Sequence, residues 1–165
     1  MSRRQWHLWI GALAGLTVLG GAVVWLARDS EPEPRSRQYR AFTSCLLTDD
    51  QGISGVAAAP VWAGMQETSV ATLTKVQHLS VVGPQTADNA AAFVAGLTQS
   101  QCDLVILVGE APSAAAVAAA ARFPTQRFLA VGNRGDGTPQ NLVWVTGSSD
   151  AIRNGVQQAI RDSAG

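Results

Sequence analysis

Asp49 and Asp50 stand side by side in Thr48-Asp49-Asp50-Gln51-Gly52, directly after an apolar run. An ionised carboxylate accepts hydrogen bonds through two oxygens, so one such group can hold two neighbouring hydroxyls of a polar ligand. Gln51 adds an amide that both donates and accepts. The same residues also read as a solvated turn before a glycine. Glu110 follows Gly109, and Asn133 follows Gly132, each after a further apolar run. Trp62 offers a ring face for stacking or, equally, a core side chain on an amphipathic helix. The expected ligand-binding set is Asp49, Asp50, Gln51, Trp62, Glu110 and Asn133. No catalytic residue, metal ligand or cofactor is expected.

Enzyme signatures are missing from the chain. Gly132-Asn133-Arg134-Gly135-Asp136-Gly137 has the wrong spacing for a dinucleotide turn and leads into a strand rather than a helix. There is no Walker A sequence and no G-x-S-x-G elbow. His78 falls inside an expected strand with no sign of a nucleophile partner, so it reads as a packing or rim residue. Asp49-Asp50 invites comparison with a phospho-receiver domain. That chemistry needs an aspartate ending the third strand and a lysine beyond the fifth, where this chain has Gly109-Glu110 and Thr146-Gly147.

Charge excludes another class. The 165 residues carry 12 basic and 12 acidic side chains. Residues 41–165 hold six basic against nine acidic residues, and no basic stripe offers a footprint for nucleic acid.

Two cysteines make neither a zinc cluster nor a disulfide framework. Cys45 lies inside the first expected strand and Cys102 just before the third. If those strands align their carboxyl ends, Cys45 faces about Ile106. At ~3.3 Å per residue the offset to Cys102 is roughly 13 Å, too far for a disulfide unless the register slips. An oxidising compartment favours the bond, and buried free thiols are the alternative.

That compartment is suggested by the N-terminus. Leu8 to Ala27 is twenty residues without a charge. As a helix at ~1.5 Å per residue it spans roughly 30 Å, the thickness of a bilayer core. Trp6, Trp9 and Trp25 flank it as interfacial aromatics do, and Arg3 and Arg4 favour a cytoplasmic N-terminus. Residues 1–7 are then cytoplasmic, 8–27 a single-pass anchor, and 28–40 a charged, proline-bearing linker to an extracytoplasmic part. A cleaved signal with Gly20 and Ala22 at its cleavage site competes with the anchor, as does a loose twin-arginine pattern at Arg3-Arg4. A cytoplasmic core helix is disfavoured, because no polar face interrupts the run.

Residues 41–165 alternate strand and helix patterns. Ala41–Thr48, Val76–Val82, Asp103–Val108, Arg127–Val131 and Leu142–Val145 read as strands. Pro60–Val70 reads as a helix with its proline in the first turn. Thr86 caps a helix that brings Ala90, Phe93, Val94 and Leu97 to one face, and Pro112–Arg122 is alanine-rich. Ser148 or Ser149 caps a last helix with Ile152, Val156 and Ile160 aligned. Strands apolar on both faces imply a mainly parallel sheet covered by helices on both sides. The simplest topology is a single α/β lobe of flavodoxin-like order 2-1-3-4-5. In such sheets ligands sit beyond the strand carboxyl ends where the order reverses, which selects the loops carrying Asp49 and Glu110.

Several segments resemble the basic membrane lipoprotein family. They are Leu46-Leu47-Thr48-Asp49 with Gly52, Trp62-Ala63-Gly64-Met65, Cys102–Gly109, Ala121–Val131 and Asn141-Leu142-Val143. Their order and spacing cover residues 41–146. The resemblance implies a type I periplasmic binding-protein fold, here its N-terminal lobe only. It also implies a nucleoside-type solute-binding role with an ABC permease as partner. The chain departs from the family at Ala57-Ala58-Ala59, at Glu110 and at Gly132-Asn133, positions that hold much of the family's nucleoside site. The family clasps ligand between two lobes, so a second lobe in trans is a further expected partner. The alternative is a protein-interaction module that has lost ligand binding.

Overall fold

The computed structural model describes residues 38–133 and 137–165. The expected cytoplasmic segment 1–7, the anchor 8–27 and linker residues 28–37 lie outside the described residues. Among the described residues, no helix is long and apolar enough to cross a membrane.

Among the described residues five strands are formed, β1 (Thr43–Thr48), β2 (Lys75–Ser80), β3 (Leu104–Leu107), β4 (Arg127–Val131) and β5 (Leu142–Val145). Among the same residues four helices alternate with them, α1 (Ala58–Thr72), α2 (Ala87–Gln99), α3 (Glu110–Arg122) and α4 (Ser149–Ala164). A 3-10 turn, Gly52–Ser54, follows β1. Local chemistry sets the helix starts. Thr86 Oγ1 accepts the Asn89 N–H at 3.3 Å, and Ser148 Oγ accepts the Ala151 N–H at 3.3 Å. Each hydroxyl satisfies one donor that a helix N-terminus leaves open. Pro60 and Pro112 both stand third in their helices, where a missing N–H costs nothing. The helices therefore begin two residues earlier than the prolines suggest.

The sheet order is β2-β1-β3-β4-β5, with every neighbouring pair parallel. This is the expected topology. Side chains alternate across it, so each strand feeds two cores. Cys45, Leu47, Val105, Leu107, Phe128 and Ala130 face α2 and α3. Leu46, Leu104, Ile106 and Leu129 face Val61 and Met65 of α1 and Val156 and Ile160 of α4. Asn141 fixes the entry to β5: its amide nitrogen donates to the carbonyls of Ala120, Phe123 and Gln126 at 2.8–3.1 Å.

Two expectations are corrected. The first concerns β2, which is not apolar on both faces: Gln77, His78 and Leu79 are all exposed. It is an edge strand, and its polar residues with Lys75 discourage addition of a foreign strand.

The second correction is the distance between the cysteines. Cys45 and Cys102 form a disulfide with their Cα atoms 5.8 Å apart. The ~13 Å offset paired Cys45 with Ile106 and ran the third strand straight back to Cys102, whereas Cys45 pairs with Val105, one residue nearer. In fact β3 begins at Leu104, and Gln101 adopts a left-handed conformation (φ 58°) that turns the chain after α2. Both cysteines are buried, and the exposed strand β2 lays the Gln77 amide against the two sulfurs at 2.9 and 3.3 Å.

Candidate functional site

The strand carboxyl ends are built from short, internally bonded loops. Asp49 leaves β1 and folds back on itself: its Oδ1 accepts the Gln51 N–H at 3.1 Å. Its carbonyl accepts the Gly52 N–H at 3.2 Å and the Thr48 hydroxyl at 3.0 Å. The Thr48 and Ser80 hydroxyls lie 2.9 Å apart, joining the ends of β1 and β2. After β2, the Asn89 side-chain amide holds the carbonyls of Val82 and Pro84 at 2.9 and 2.8 Å. Gln85 holds those of Val81 and Gly83 at 3.1 and 3.2 Å. The polar rim is thus pre-organised by its own side chains.

At the reversal of strand order, between β1 and β3, Asp49 meets Gly109. Gly109 has φ 100°, and a Cβ placed there would stand 2.6 Å from Asp49 Oδ2. Glycine is required twice over, by conformation and by space. The half-buried carboxylate of Asp49 therefore rests beside the N-terminus of α3, where partial positive charge favours an anion. Glu110, exposed, begins that helix. Asp49 and Glu110 are brought together in this way, and exposed Asp50 and Gln51 share the Asp49 loop.

The other two expected residues lie elsewhere. Asn133, exposed after β4, lines a separate cavity of about 290 Å³ with Ser113, Val117, Gly132 and Trp144. Ser113 Oγ donates to the Val131 carbonyl at 2.9 Å, and the buried Trp144 indole nitrogen has no hydrogen-bond partner among the described residues. Trp62 is half-buried on α1, and its ring meets His78 edge-on at 5.0 Å. A larger cavity of about 690 Å³ sits at the opposite, amino end of the sheet, among Leu104, Arg127, Asn141, Val143, Ala159 and Asp162. Sequence reading missed Ser80, Ser113 and Trp144 at the carboxyl edge. A signal existed for Ser80, which ends a strand run just before Gly83-Pro84. Ser113 and Trp144 carried none, because a serine in a helix and a tryptophan in a strand are ordinary. Among the described residues no group of histidine, cysteine and acidic side chains is placed to hold a metal ion.

The Asp49–Gly109 contact makes a direct prediction. Gly109→Ala forces both an unfavourable φ and a displaced carboxylate, and is expected to cost about 2 kcal/mol of stability. Urea unfolding followed by fluorescence measures it. A midpoint equal to that of the parent protein would contradict the packing of Asp49 on Gly109.

No family model matches the chain, and no curated protein matches it. Solved structures do. A lipoprotein fragment from Peptoclostridium difficile 630 superposes with a TM-score of 0.63 at 14% identity, covering 74% of this chain and 98% of that one. An ABC transporter solute-binding protein from Aeropyrum pernix K1 gives 0.54 at 17%, covering 62% of this chain and 28% of that one. The Lac repressor dimer bound to operator and the anti-inducer ONPF gives 0.50 at 15%, covering 67% and 32%. The chain spans about a third or less of the last two proteins. At these identities the likeness is one of fold alone: a single α/β lobe with a parallel five-stranded sheet.

Proposed function

We propose that this chain is a membrane-anchored, extracytoplasmic lobe that recognises a ligand at the carboxyl edge of its sheet and carries out no reaction on it. The observation that carries the reading is the Asp49 carboxylate, held by its own turn at the strand-order reversal and seated over Gly109. Its position suits the hydroxyls of a small polar solute, nucleoside-like in class, delivered to an ABC permease. The buried Cys45–Cys102 disulfide supports an oxidising compartment, where such bonds persist. The apolar run 8–27 supports tethering by a single span, with residues 1–7 inside the cell. The Asp49 edge is open, so this lobe supplies one wall of a binding site, and a second lobe would supply the other.

A second reading is favoured by a different observation. Val56 is 89% exposed and Val82 73% exposed, both at this same edge. Apolar side chains there suit a protein surface, and the lobe would then be an interaction module.

Thermal unfolding of residues 38–165, which contain both cores, separates the two. A solute at 100 times its dissociation constant is expected to add ~2.7 kcal/mol. Asp49→Ala is expected to abolish that shift. A shift that survives Asp49→Ala removes Asp49 from the site. No shift across a nucleoside and sugar panel, together with a mass that rises with protein concentration, selects the interaction module.

A further inference from the structure

The formal charges of the lobe are sorted by end. Asp49, Asp50, Asp88, Glu110 and Asp150 stand at the carboxyl edge, after β1 or in the first turns of α2, α3 and α4. Arg40, Lys75, Arg122, Arg127 and Arg161 stand at the amino end, and all five are exposed. The sorting has a physical origin. Every helix of a parallel sheet runs back the same way, so first-turn acids gather at one end and last-turn cations at the other, each complementing a helix dipole. Lys75 and Arg127 open strands, and Arg40 precedes one. Two acids, Asp103 and Asp162, share the basic end and keep their charge, which leaves that end a formal excess of three positive charges among the described residues. Glu67 stands within α1 and accepts from the Gln157 amide of α4. Asp103 Oδ2 accepts the Thr43 N–H at 2.7 Å, and Asp162 Oδ1 accepts the Gln158 amide at 2.7 Å. Arg153, the other described cation, is half-buried, with its backbone and side chain against Gly64. The partial negative charge of helix carboxyl ends acts within about one turn, whereas arginine side chains reach beyond it.

The chain also enters the lobe at this end. The Arg40 N–H donates to the Leu73 carbonyl at 2.7 Å, just before β1. The linker 28–40 that leads there is 13 residues long. Covalent geometry limits thirteen residues to a span of at most about 45 Å, which keeps the lobe close to the bilayer. We propose that the amino end, through Arg40, Lys75, Arg122, Arg127 and Arg161, is a membrane-facing surface that docks on anionic phospholipid headgroups. Docking turns the acidic Asp49 edge toward bulk solvent, where a dissolved ligand or a partner arrives. The proposal rests on the reading of residues 8–27 as an anchor. The tether keeps the basic end near the headgroups, and charge complementarity sets which end faces them.

The test uses the full chain reconstituted into vesicles of phosphatidylcholine, alone or with phosphatidylglycerol. A fluorophore is placed at Thr125→Cys, exposed at the amino end, or at Val82→Cys, exposed at the other. Energy transfer to headgroup-labelled lipid reports which end lies closer. With phosphatidylglycerol, the Thr125 probe is expected to transfer more strongly than the Val82 probe. That difference should collapse in 1 M salt, where the Debye length falls to about 3 Å from about 10 Å at 0.1 M. It should also collapse in the combined Lys75→Gln, Arg122→Gln, Arg161→Gln variant. Each cation removed is expected to lower the docked-to-free ratio about fivefold. Asp88→Asn serves as the control and should leave it unchanged. Equal transfer from both probes, or stronger transfer from Val82, overturns the proposal, and the salt arm stands even if the triple variant fails to fold. Failure to float with phosphatidylcholine vesicles overturns the anchor alone if phosphatidylglycerol vesicles still carry the chain in a salt-sensitive way. Failure with both overturns the two readings together.

Discussion

Replacing Cys45 and Cys102 together by alanine is expected to lower the unfolding free energy by about 4 kcal/mol. The bond closes a loop across a sequence separation of 57 residues that contains α1, β2 and α2. Opening that loop restores conformational freedom to the unfolded chain, and the native state loses little contact area to compensate. The Cα separation of 5.8 Å is within the ordinary range, so the native backbone need not distort to make the bond. For a lobe of this size the melting temperature should fall by roughly 15 °C. Both cysteines are buried, so a reductant reaches the sulfurs only when β2 and the Gln101 turn open. The parent protein should therefore resist dithiothreitol under native conditions and lose the same stability once reduced in denaturant. Calorimetry of the two proteins, with and without reductant, is the measurement. Equal melting temperatures would mean that the bond contributes nothing.

The contact between α1 and α4 should be nearly as sensitive. Gly64 of α1 lies against the backbone of Arg153 in α4, where an added Cβ would meet the Arg153 carbonyl oxygen at 2.9 Å and its Cγ at 3.2 Å. A carbonyl fixed in a helix cannot rotate away as the end of a flexible side chain can. Alanine at this position would gain helix propensity, worth about 1 kcal/mol, and lose it again to the clash. Valine has no such compensation, and Gly64→Val is expected to cost about 3 kcal/mol by pushing α4 off the sheet. The displacement would uncover Val156 and Ile160, both fully buried. Chemical denaturation should show a lower midpoint, and hydrogen exchange should show early loss of protection in α1 and α4 together. A variant as stable as the parent would mean that the two helices do not pack through Gly64.

The strands β1, β3 and β4 were legible because continuous apolar runs report burial on both faces. The helix cap at Thr86 was legible, and the last cap to within one residue of Ser148, because capping involves residues three apart. The sheet order followed from parallel strands joined by right-handed crossovers, and it selected the loops holding Asp49 and Glu110. The exposure of β2 was not legible: Val76 and Leu79 suggest a buried strand, but position at the sheet edge decides how much of it a helix covers. The role of Trp62 was equally open, since its meeting with His78 depends on how α1 lies across β2.

Local pattern, then, was enough for the α/β class, the element order and the end of the sheet that bears the polar loops, because side-chain periodicity and capping act over a few residues. Three features depended on tertiary structure: the Cys45–Cys102 bond, the seating of Asp49 on Gly109 and the opposition of an acidic to a basic end. Each joins residues some sixty positions apart or sums over all the elements. Such a distance is set by strand register and by single turn dihedrals, such as the left-handed Gln101, and hydrophobic periodicity carries no record of either.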